Sequence, residues 1–405
     1  MSEWITDALL VAGGWNALHP NDTPSWEQNG YDHNDIEKVF DRVKCVAMFP
    51  KAYASVAKEV ETKAANCEKR GFNGAACSLY GRAMQLYGRA QYGYYADDPR
   101  KKIFHASLVK CFNKAAALSH IKMERVEFPF EGKKLYGNFY YGGKGEKQPC
   151  LLMLPGMDMV KEEWHGIVMR YAIPKGFVVL IVDQPGQGES LVNGLKVTLN
   201  NPERAGNTVL DYLETREEID KEQIVLLGAS MGSYWGSRWA AYNKRIKAAS
   251  TVMACYGSKD ITFKLAQPKF RNNFKFMSGI YDDKEFDEMS EQMILDEVAP
   301  QIECPFLMVQ GEFDELTTIE STYEVYDMVK APKEIWVLDN EFHPIGGMYG
   351  EIMSAILDWL ANALSDQFKP GYAHGVYWKT NGEFVEGDGR PDWWSYSEWE
   401  QNKTI

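Results

Sequence analysis

The chain has 405 residues, of which 45% are hydrophobic and 25% charged, and its formal net charge at pH 7 is −13. The acidic balance argues against a nucleic-acid partner and against binding to an anionic membrane surface. No apolar run reaches the length of a membrane-spanning helix, and the first residues do not have the pattern of a secretory signal. The seven scattered cysteines argue against a disulfide framework or a zinc site. We therefore expect a cytoplasmic protein that acts on a small molecule and uses no metal and no cofactor.

The first 120 residues predict a helical domain. Apolar residues recur at helical spacing in four segments, 35–48, 53–69, 73–92 and 99–118. Gly71 separates the second segment from the third, and Asp98 with Pro99 separates the third from the fourth. We interpret residues 1–120 as a helical cap domain.

From about residue 121 the hydrophobic period changes. Two alternating segments, 123–128 and 135–141, predict a β-hairpin. Continuous apolar runs then alternate with helical stretches, at 150–154, 177–182, 224–227, 248–253, 306–309 and 335–338. Such runs are typical of buried parallel strands, so we predict an α/β fold with a mostly parallel, doubly wound sheet over residues 121–365. In such a sheet the site lies at the carboxyl ends of the strands.

Two further segments depart from this alternation. Residues 257–303 contain a basic, aromatic part and an acidic, amphipathic part, and we interpret them as a lid insertion. Residues 366–405 form an aromatic-rich tail, with Tyr372, Trp378, Trp393, Trp394 and Trp399 among glycines and prolines. This tail is too aromatic for a disordered segment, so we expect it to pack on the body of the protein or on a partner subunit.

The most specific motif is Gly-Ala-Ser-Met-Gly at 228–232, which directly follows an apolar strand and precedes a helix-compatible segment. This is the layout of a nucleophile elbow, in which a sharp strand-to-helix turn presents the serine hydroxyl. The turn leaves no room for a side chain two residues before or after the serine, and Gly228 and Gly232 meet this requirement. Ser230 is therefore the candidate nucleophile, and the backbone N–H of Met231 is a candidate oxyanion donor.

An acyl-transfer serine needs a base and an acid that orients the base. In α/β-hydrolases these follow in the order serine, acid, histidine, each after a strand. Asp314 follows the apolar run at 306–309, and His343 follows the run at 335–338. Ser230, Asp314 and His343 are thus the predicted catalytic triad, with Glu312 and Glu315 as local alternatives to the acid.

Two other strand ends contribute to the predicted site. The segment at 183–190, Asp-Gln-Pro-Gly-Gln-Gly-Glu-Ser, forms a turn that we interpret as structural, since it offers no base for Ser230. Pro-Gly-Met-Asp at 155–158 ends an earlier strand, where a second oxyanion donor is expected, and Met157 N–H is the candidate. Asp158, Lys161 and Glu162 either contact substrate or serve as helix caps and solvated charges.

By these residues the chain resembles the α/β-hydrolase superfamily. The resemblance narrows to a group with an N-terminal helical domain, which includes 2,6-dihydroxypseudooxynicotine hydrolase, fungal polyketide-shortening hydrolases and the bacterial fermentation–respiration switch protein. It covers roughly residues 35–364 and rests on the motifs at 155–163, 183–190 and 228–232, and on Asp314 and His343. Members of this group cleave carbon–carbon bonds beside ketones, or esters and lactones, and often form dimers. The resemblance therefore implies such a reaction and a homodimer.

More than one function remains open at this point. A serine hydrolase would cleave a β-diketone, aryl ketone, ester or lactone in a polyketide-like or aromatic molecule through an acyl-enzyme. An acyltransferase or cyclase of secondary metabolism would use the same residues but transfer the acyl group to a substrate hydroxyl or amine. A regulatory binding protein could use the scaffold without catalysis, although an intact triad argues against it.

The tyrosines of the helical domain are relevant to the kind of substrate that the protein binds. Five of them fall in or just after the third predicted helix: Tyr80, Tyr87, Tyr92, Tyr94 and Tyr95. With the lid they would form an apolar cavity suited to aromatic groups, or they would simply pack the helices together.

Overall fold

The computed structural model describes residues 3–19, 22–143, 147–365 and 367–391. Its helices are α1 (Glu3–Gly13), α2 (Asp22–Gln28), α3 (His33–Asp41), α4 (Phe49–Lys69), α5 (Asn73–Tyr92), α6 (Pro99–Leu118), α7 (His165–Ile167), α8 (Gly188–Val192), α9 (Asn201–Leu213), α10 (Met231–Tyr242), α11 (Pro268–Ser278), α12 (Asp283–Glu291), α13 (Ile319–Met328) and α14 (Tyr349–Ala363). Short 3₁₀ turns lie at Trp15–Ala17, Val46–Met48, Lys161–Trp164 and Ala299–Gln301, and π-helical turns lie at Val168–Ala172 and Ile261–Leu265.

One sheet runs through the molecule. Its strands are β1 (Lys122–Phe130), β2 (Lys133–Tyr141), β3 (Gln148–Leu154), β4 (Val178–Asp183), β5 (Ile219–Ser230), β6 (Ile246–Ala254), β7 (Phe306–Gly311), β8 (Lys333–Leu338), β9 (Ala373–Trp378) and β10 (Phe384–Gly387). They lie in the order β1-β2-β4-β3-β5-β6-β7-β8-β9-β10. The strands from β3 to β9 are parallel, while β1, β2 and β10 pair antiparallel with their neighbours. The predicted mostly parallel α/β sheet is confirmed.

The sheet is covered on both faces, which explains its continuous apolar runs. Val225 and Leu227 of β5 belong to one core, together with residues of α3 to α6 and α14. Ile224 and Leu226, at the alternate positions, belong to the opposite core with residues of α9 to α13. Because successive side chains of a strand point to opposite faces, a strand buried on both sides is apolar throughout.

The helical N-terminal region differs from the prediction in one segment. Residues 35–48 do not form one helix: α3 ends at Asp41, a 3₁₀ turn occupies Val46–Met48, and α4 begins at Phe49. Pro50 lies in the first turn of α4. Proline lacks the N–H that a helix interior requires but fits a first turn, so the chain starts a new helix there.

The sheet continues beyond residue 365, where the sequence placed its end. β9 pairs with β8 in parallel, and β10 pairs with β9. The Trp378 ring lies 5.0 Å from the Trp336 ring, centroid to centroid. This part of the aromatic tail therefore packs on the body of the protein. The predicted contacts of Trp393, Trp394 and Trp399 lie outside the described residues.

Candidate active site

Ser230 stands at a sharp turn between β5 and α10. It is the last residue of β5, α10 begins at Met231, and the Ser230 backbone has φ 53° and ψ −126°. A positive φ is strained for a residue with a side chain, and such strain is typical of functional sites. A Cβ atom on Gly228 would lie 2.3 Å from the Gly232 carbonyl oxygen, so this turn can form only with glycine there.

Gly232 provides a test of the turn. A Cβ at this position would lie 1.9 Å from the carbonyl oxygen of Leu154, within the central strand β3. We expect Gly232→Ala to lower the free energy of unfolding by about 3 kcal/mol. The strand β3 is hydrogen-bonded to a neighbour on each side and cannot shift to relieve the clash without straining the sheet. Gly74→Ala in α5 is the matched control, since a Cβ there meets no atom within 4 Å. Thermal unfolding measures both, and equal Tm values for the two variants would contradict the steric argument.

Three side chains from three strand ends meet at this turn. The Ser230 hydroxyl lies 2.9 Å from His343 Nε2, and His343 Nδ1 lies 2.8 Å from Asp314 Oδ2. Asp314 follows β7 and His343 follows β8. With the proton on Nδ1, the imidazole donates to Asp314 and accepts from Ser230. The structure thus brings together the three residues that the sequence predicted as a triad.

Asp314 is fixed in place by its own loop. Its side chain is fully buried, and its Oδ1 accepts hydrogen bonds from Leu316 N at 2.8 Å and Thr317 N at 3.0 Å. The alternative acids serve other partners. Glu312 accepts from Asn340 N at 3.0 Å, and Glu315 accepts from the backbone N–H of His343 at 3.0 Å. Asp314 is thus the acid whose carboxylate accepts the hydrogen bond from the His343 imidazole.

The charges around His343 favour its protonated form. Burial lowers the pKa of the imidazole, but the charge of Asp314, their hydrogen bond and the charges of Glu315 and Asp158 outweigh it. The net effect raises the pKa of His343 from 6.5 to about 9. Such an environment stabilises the imidazolium that forms when a histidine takes a proton from a serine.

The loop after β3 lies against Ser230 on the other side. A Cβ on Gly156 would lie 3.0 Å from the Ser230 Cβ, and Met157 and Met231 both line the cavity that Ser230 faces. Gln187 holds this loop: its Nε2 donates to Gly156 O at 2.5 Å and to Met159 O at 3.1 Å. The sequence did not reveal this role, since the contact joins two turns about 30 residues apart.

Lys161 and Glu162 do not reach the cavity. Lys161 is fully buried, and its Nζ lies 2.9 Å from Asp183, 3.0 Å from Glu189 and 2.9 Å from Glu162. Arg125 also forms an ion pair with Glu189. We therefore assign Lys161 and Glu162 to this internal charge cluster, which corrects the expectation of a substrate contact. Buried charges require such partners.

Asp158, in contrast, does line the cavity. Its Oδ2 lies 3.5 Å from Nη1 of Arg89, and Nε of Arg89 lies 2.7 Å from Glu163. Arg89 comes from α5, so this ion pair joins the helical region to the loop that contains Met157. No local pattern in the sequence had indicated a role for Arg89.

A cavity of about 550 Å³ lies between the N-terminal helices and the carboxyl ends of the strands. Ser230 and His343 line its floor. Aromatic rings make up much of its wall: Trp15, Trp26, Phe49, Tyr53, Tyr92, Tyr94, Tyr95, Trp164, Phe270 and Tyr349. Three of the five predicted tyrosines are thus at the cavity. Tyr80 and Tyr87 instead pack among the helices, where their hydroxyls donate to Glu68 and Glu61.

Two absences hold for the described part of the chain. No three His, Cys, Asp or Glu side chains are grouped there so as to hold a metal ion. Within the same residues, no helix combines the length and apolar character needed to cross a bilayer.

Comparison with known proteins gives the family. Residues 51–269, more than half of the chain, match the family model described as esterase FrsA-like. The chain therefore belongs to the FrsA-like esterase family.

Individual relatives agree with this assignment. Hydrolase acrC of Aspergillus aculeatus is 33% identical over 186 residues, which make up 41% of this chain and 43% of that protein. The chain thus spans less than half the length of this relative. The 2,6-dihydropseudooxynicotine hydrolase of Paenarthrobacter nicotinovorans is 26% identical over 71% of this chain and 77% of its own length.

The solved structures give the fold. The crystal structure of a 2,6-dihydroxy-pseudo-oxynicotine hydrolase superposes with a TM-score of 0.76 at 22% identity, over 87% of this chain and 99% of that one. The predicted α/β-hydrolase fold and the resemblance to this group are confirmed.

Proposed function

We propose that this chain is a serine hydrolase that cleaves a carbonyl substrate through an acyl-enzyme. The observation that carries the proposal is the continuous hydrogen-bond chain from Ser230 through His343 to Asp314. Its geometry and its order along the chain match what acyl transfer requires.

In the proposed reaction, His343 Nε2 takes the hydroxyl proton as Ser230 Oγ bonds to the substrate carbonyl carbon. The carbonyl π electrons move to its oxygen, and the backbone N–H groups of Met157 and Met231 are proposed to stabilise that oxyanion. The oxyanion then re-forms the carbonyl, and the leaving group departs with the proton from His343. Water, deprotonated by His343, then attacks the acyl carbon. The ester bond to Ser230 Oγ breaks, His343 returns the proton to Oγ, and the acid is released.

The substrate class follows from the cavity and from the relatives. Two relatives are named for the small molecules that they hydrolyse, 2,6-dihydropseudooxynicotine and 20-hydroxy-prefusarin. The aromatic wall supports a similar substrate here. We propose a polyketide-like or aromatic molecule cleaved at a β-diketone or aryl ketone carbon–carbon bond, or at an ester or lactone.

The proposal also assigns a role to each segment of the chain. Residues 1–120 serve as the cap, residues 121–365 as the catalytic unit and residues 257–303 as the lid, since all three contribute to the cavity wall. The predicted homodimer and the predicted cytoplasmic location stay predictions.

Labelling with a fluorophosphonate probe tests the nucleophile. We expect intact-mass analysis to show one adduct on the wild type and none on Ser230→Ala or His343→Ala, because only an activated serine attacks the probe. Ser365→Ala and His120→Ala are the matched controls, since both side chains are exposed and neither residue lines the cavity. If the folded wild-type protein is not labelled, the proposed hydrolase activity is wrong and a binding function is favoured.

The pH dependence of kcat/KM tests the role of His343. A protonated imidazole cannot accept the serine proton, so kcat/KM should rise about tenfold per pH unit up to the His343 pKa of about 9. Glu315→Gln removes one of the charges that raise this pKa while keeping an acceptor for the His343 N–H. This variant should move the acid limb to lower pH. A flat profile above pH 7 in the wild type would contradict the assignment.

A further inference from the structure

The lid brings one lysine to the cavity, and the protein uses only part of the hydrogen-bonding capacity of its ammonium group. Lys269, in the first turn of α11, lines the cavity together with Ser230. Its Nζ lies 3.2 Å from Nε2 of His19, and within the described part of the chain no carboxylate lies within ion-pair distance of it. An ammonium has three N–H donors, so two remain for another acceptor.

The other cations at the cavity are already paired. Arg89 lies 2.7 Å from Glu163, and Arg100 lies 2.6 Å from Asp98. The two arginines therefore have acidic partners from the chain itself, which distinguishes them from Lys269.

The cavity carboxylates also have donors of their own. Asp22 accepts from Trp15 Nε1 at 2.8 Å, and Glu315 accepts from the His343 backbone N–H at 3.0 Å. Asp158 pairs with Arg89. These acids contribute some attraction to Lys269 through space, but none of them is its direct partner.

Lys269 shares its acceptor, Nε2 of His19, with a second donor. Gln267 Nε2 also lies 3.1 Å from the same His19 nitrogen, so two donors converge on one lone pair. Burial, then the charges of Lys269, His343 and Arg89, hold the pKa of His19 well below its usual range, so the ring is neutral and offers no counter-charge. Donors exceed acceptors at this place, and an added anionic oxygen would correct the imbalance.

We propose that Lys269, with Gln267 beside it, binds an anionic oxygen of the substrate: a carboxylate or the ionised enol of a β-dicarbonyl. The inference rests on the proposed function, because it places this oxygen on the molecule whose carbonyl Ser230 attacks. Lys269 lies 5.7 Å from the centroid of Trp15 and 5.0 Å from that of Phe270, so the substrate would present an acidic oxygen next to an apolar or aromatic portion. The substrate class narrows accordingly to acidic aromatic or polyketide-like molecules.

The electrostatics of the lysine agree with this geometry. Burial lowers the pKa of Lys269, and the attraction of Asp158 and Asp22 does not compensate for it. A bound anion would supply the missing compensation in a site shielded from water, where a charge-assisted hydrogen bond is stronger than at the surface.

Equilibrium binding to the Ser230→Ala variant tests the proposal without requiring turnover. Calorimetry compares phenylacetate with phenylacetamide, and ionised 5-phenylcyclohexane-1,3-dione with neutral 3-phenylcyclohexanone. We expect the anion of at least one pair to bind about tenfold tighter or more than its neutral analogue, in the range of a charged hydrogen bond. Lys269→Met should abolish this preference, and Lys269→Arg should retain most of it.

Lys264→Met is the matched control, because Lys264 lies in the same lid but pairs with Asp260 at 2.8 Å. It should leave both preferences unchanged. A preference in one pair alone identifies the carboxylate or the enolate as the bound group. Equal affinities within both pairs, no measurable binding of any ligand, or a preference that survives Lys269→Met would overturn the proposal.

Fluorophosphonate labelling of Lys269→Met in the protein that retains Ser230 separates the anion-binding proposal from the proposed hydrolase activity. Normal labelling of this variant, together with no preference for the anion, rejects the anion-binding proposal but leaves the proposed hydrolase activity standing.

Discussion

Asp314→Asn is expected to lower kcat by about 10⁴-fold while leaving the fold unchanged. The asparagine oxygen can still accept from Leu316 N and Thr317 N, as Asp314 Oδ1 does at 2.8 and 3.0 Å. Its NH₂ group then faces His343 Nδ1, which must become an acceptor. The imidazole proton moves to Nε2, and that nitrogen can no longer take the proton of Ser230. Steady-state kinetics on an activated ester, together with a Tm measurement, separates this tautomer effect from unfolding.

Glu315→Gln provides the comparison for this prediction. Glu315 also carries a negative charge near His343, but it contacts the backbone N–H and not the ring. We expect its replacement to change kcat by less than about tenfold. A similar loss in both variants would mean that His343 depends on nearby negative charge in general, and that Asp314 has no special orienting role.

Lys161→Met is expected to lower the free energy of unfolding by about 3–5 kcal/mol, the usual effect of removing one partner from a buried ion pair. Lys161 has no exposed surface, and its ammonium is the shared partner of Asp183, Glu189 and Glu162. Its removal leaves three carboxylates in the interior with too little positive charge. Thermal unfolding measures the loss as a lower Tm.

The exposed Lys63 is the control, since Lys63→Met makes the same change on the surface of α4. It should change the Tm by little. If Lys161→Met unfolds at the wild-type temperature but loses activity, the lysine belongs to the substrate site after all, and the structural assignment is wrong.

This charge cluster also has a role in the proposed mechanism. Asp183 accepts from the backbone N–H groups of Lys161 at 2.9 Å and of Glu189 at 2.8 Å, so it ties the loop after β3 to the turn after β4. Gln187, in that turn, holds the carbonyl of Gly156 beside Met157. The position of the proposed oxyanion donors therefore depends on hydrogen bonds between buried residues that do not themselves contact the substrate.

The sequence alone was sufficient for the strands β1 to β8 and for Ser230, Asp314 and His343, which meet at the turn after β5. Buried parallel strands are apolar at every position, so β3 to β8 could be recognised from local composition. The elbow glycines and the order of Ser230, Asp314 and His343 are also local signals, because each residue directly follows a strand. Parallel strands bring such ends to one edge of the sheet without further information.

Tertiary structure decided the rest of the site. Lys161 and Asp158 are three residues apart and equally polar, yet one is buried in a charge cluster and the other lines the cavity. The cavity wall comes from segments that carried no site signal, such as Trp15 and Arg89, and the sheet gained β9 from the aromatic tail. Whether a polar or aromatic side chain faces substrate, solvent or core depends on contacts between residues far apart in the chain. Local periodicity contains no information about such contacts.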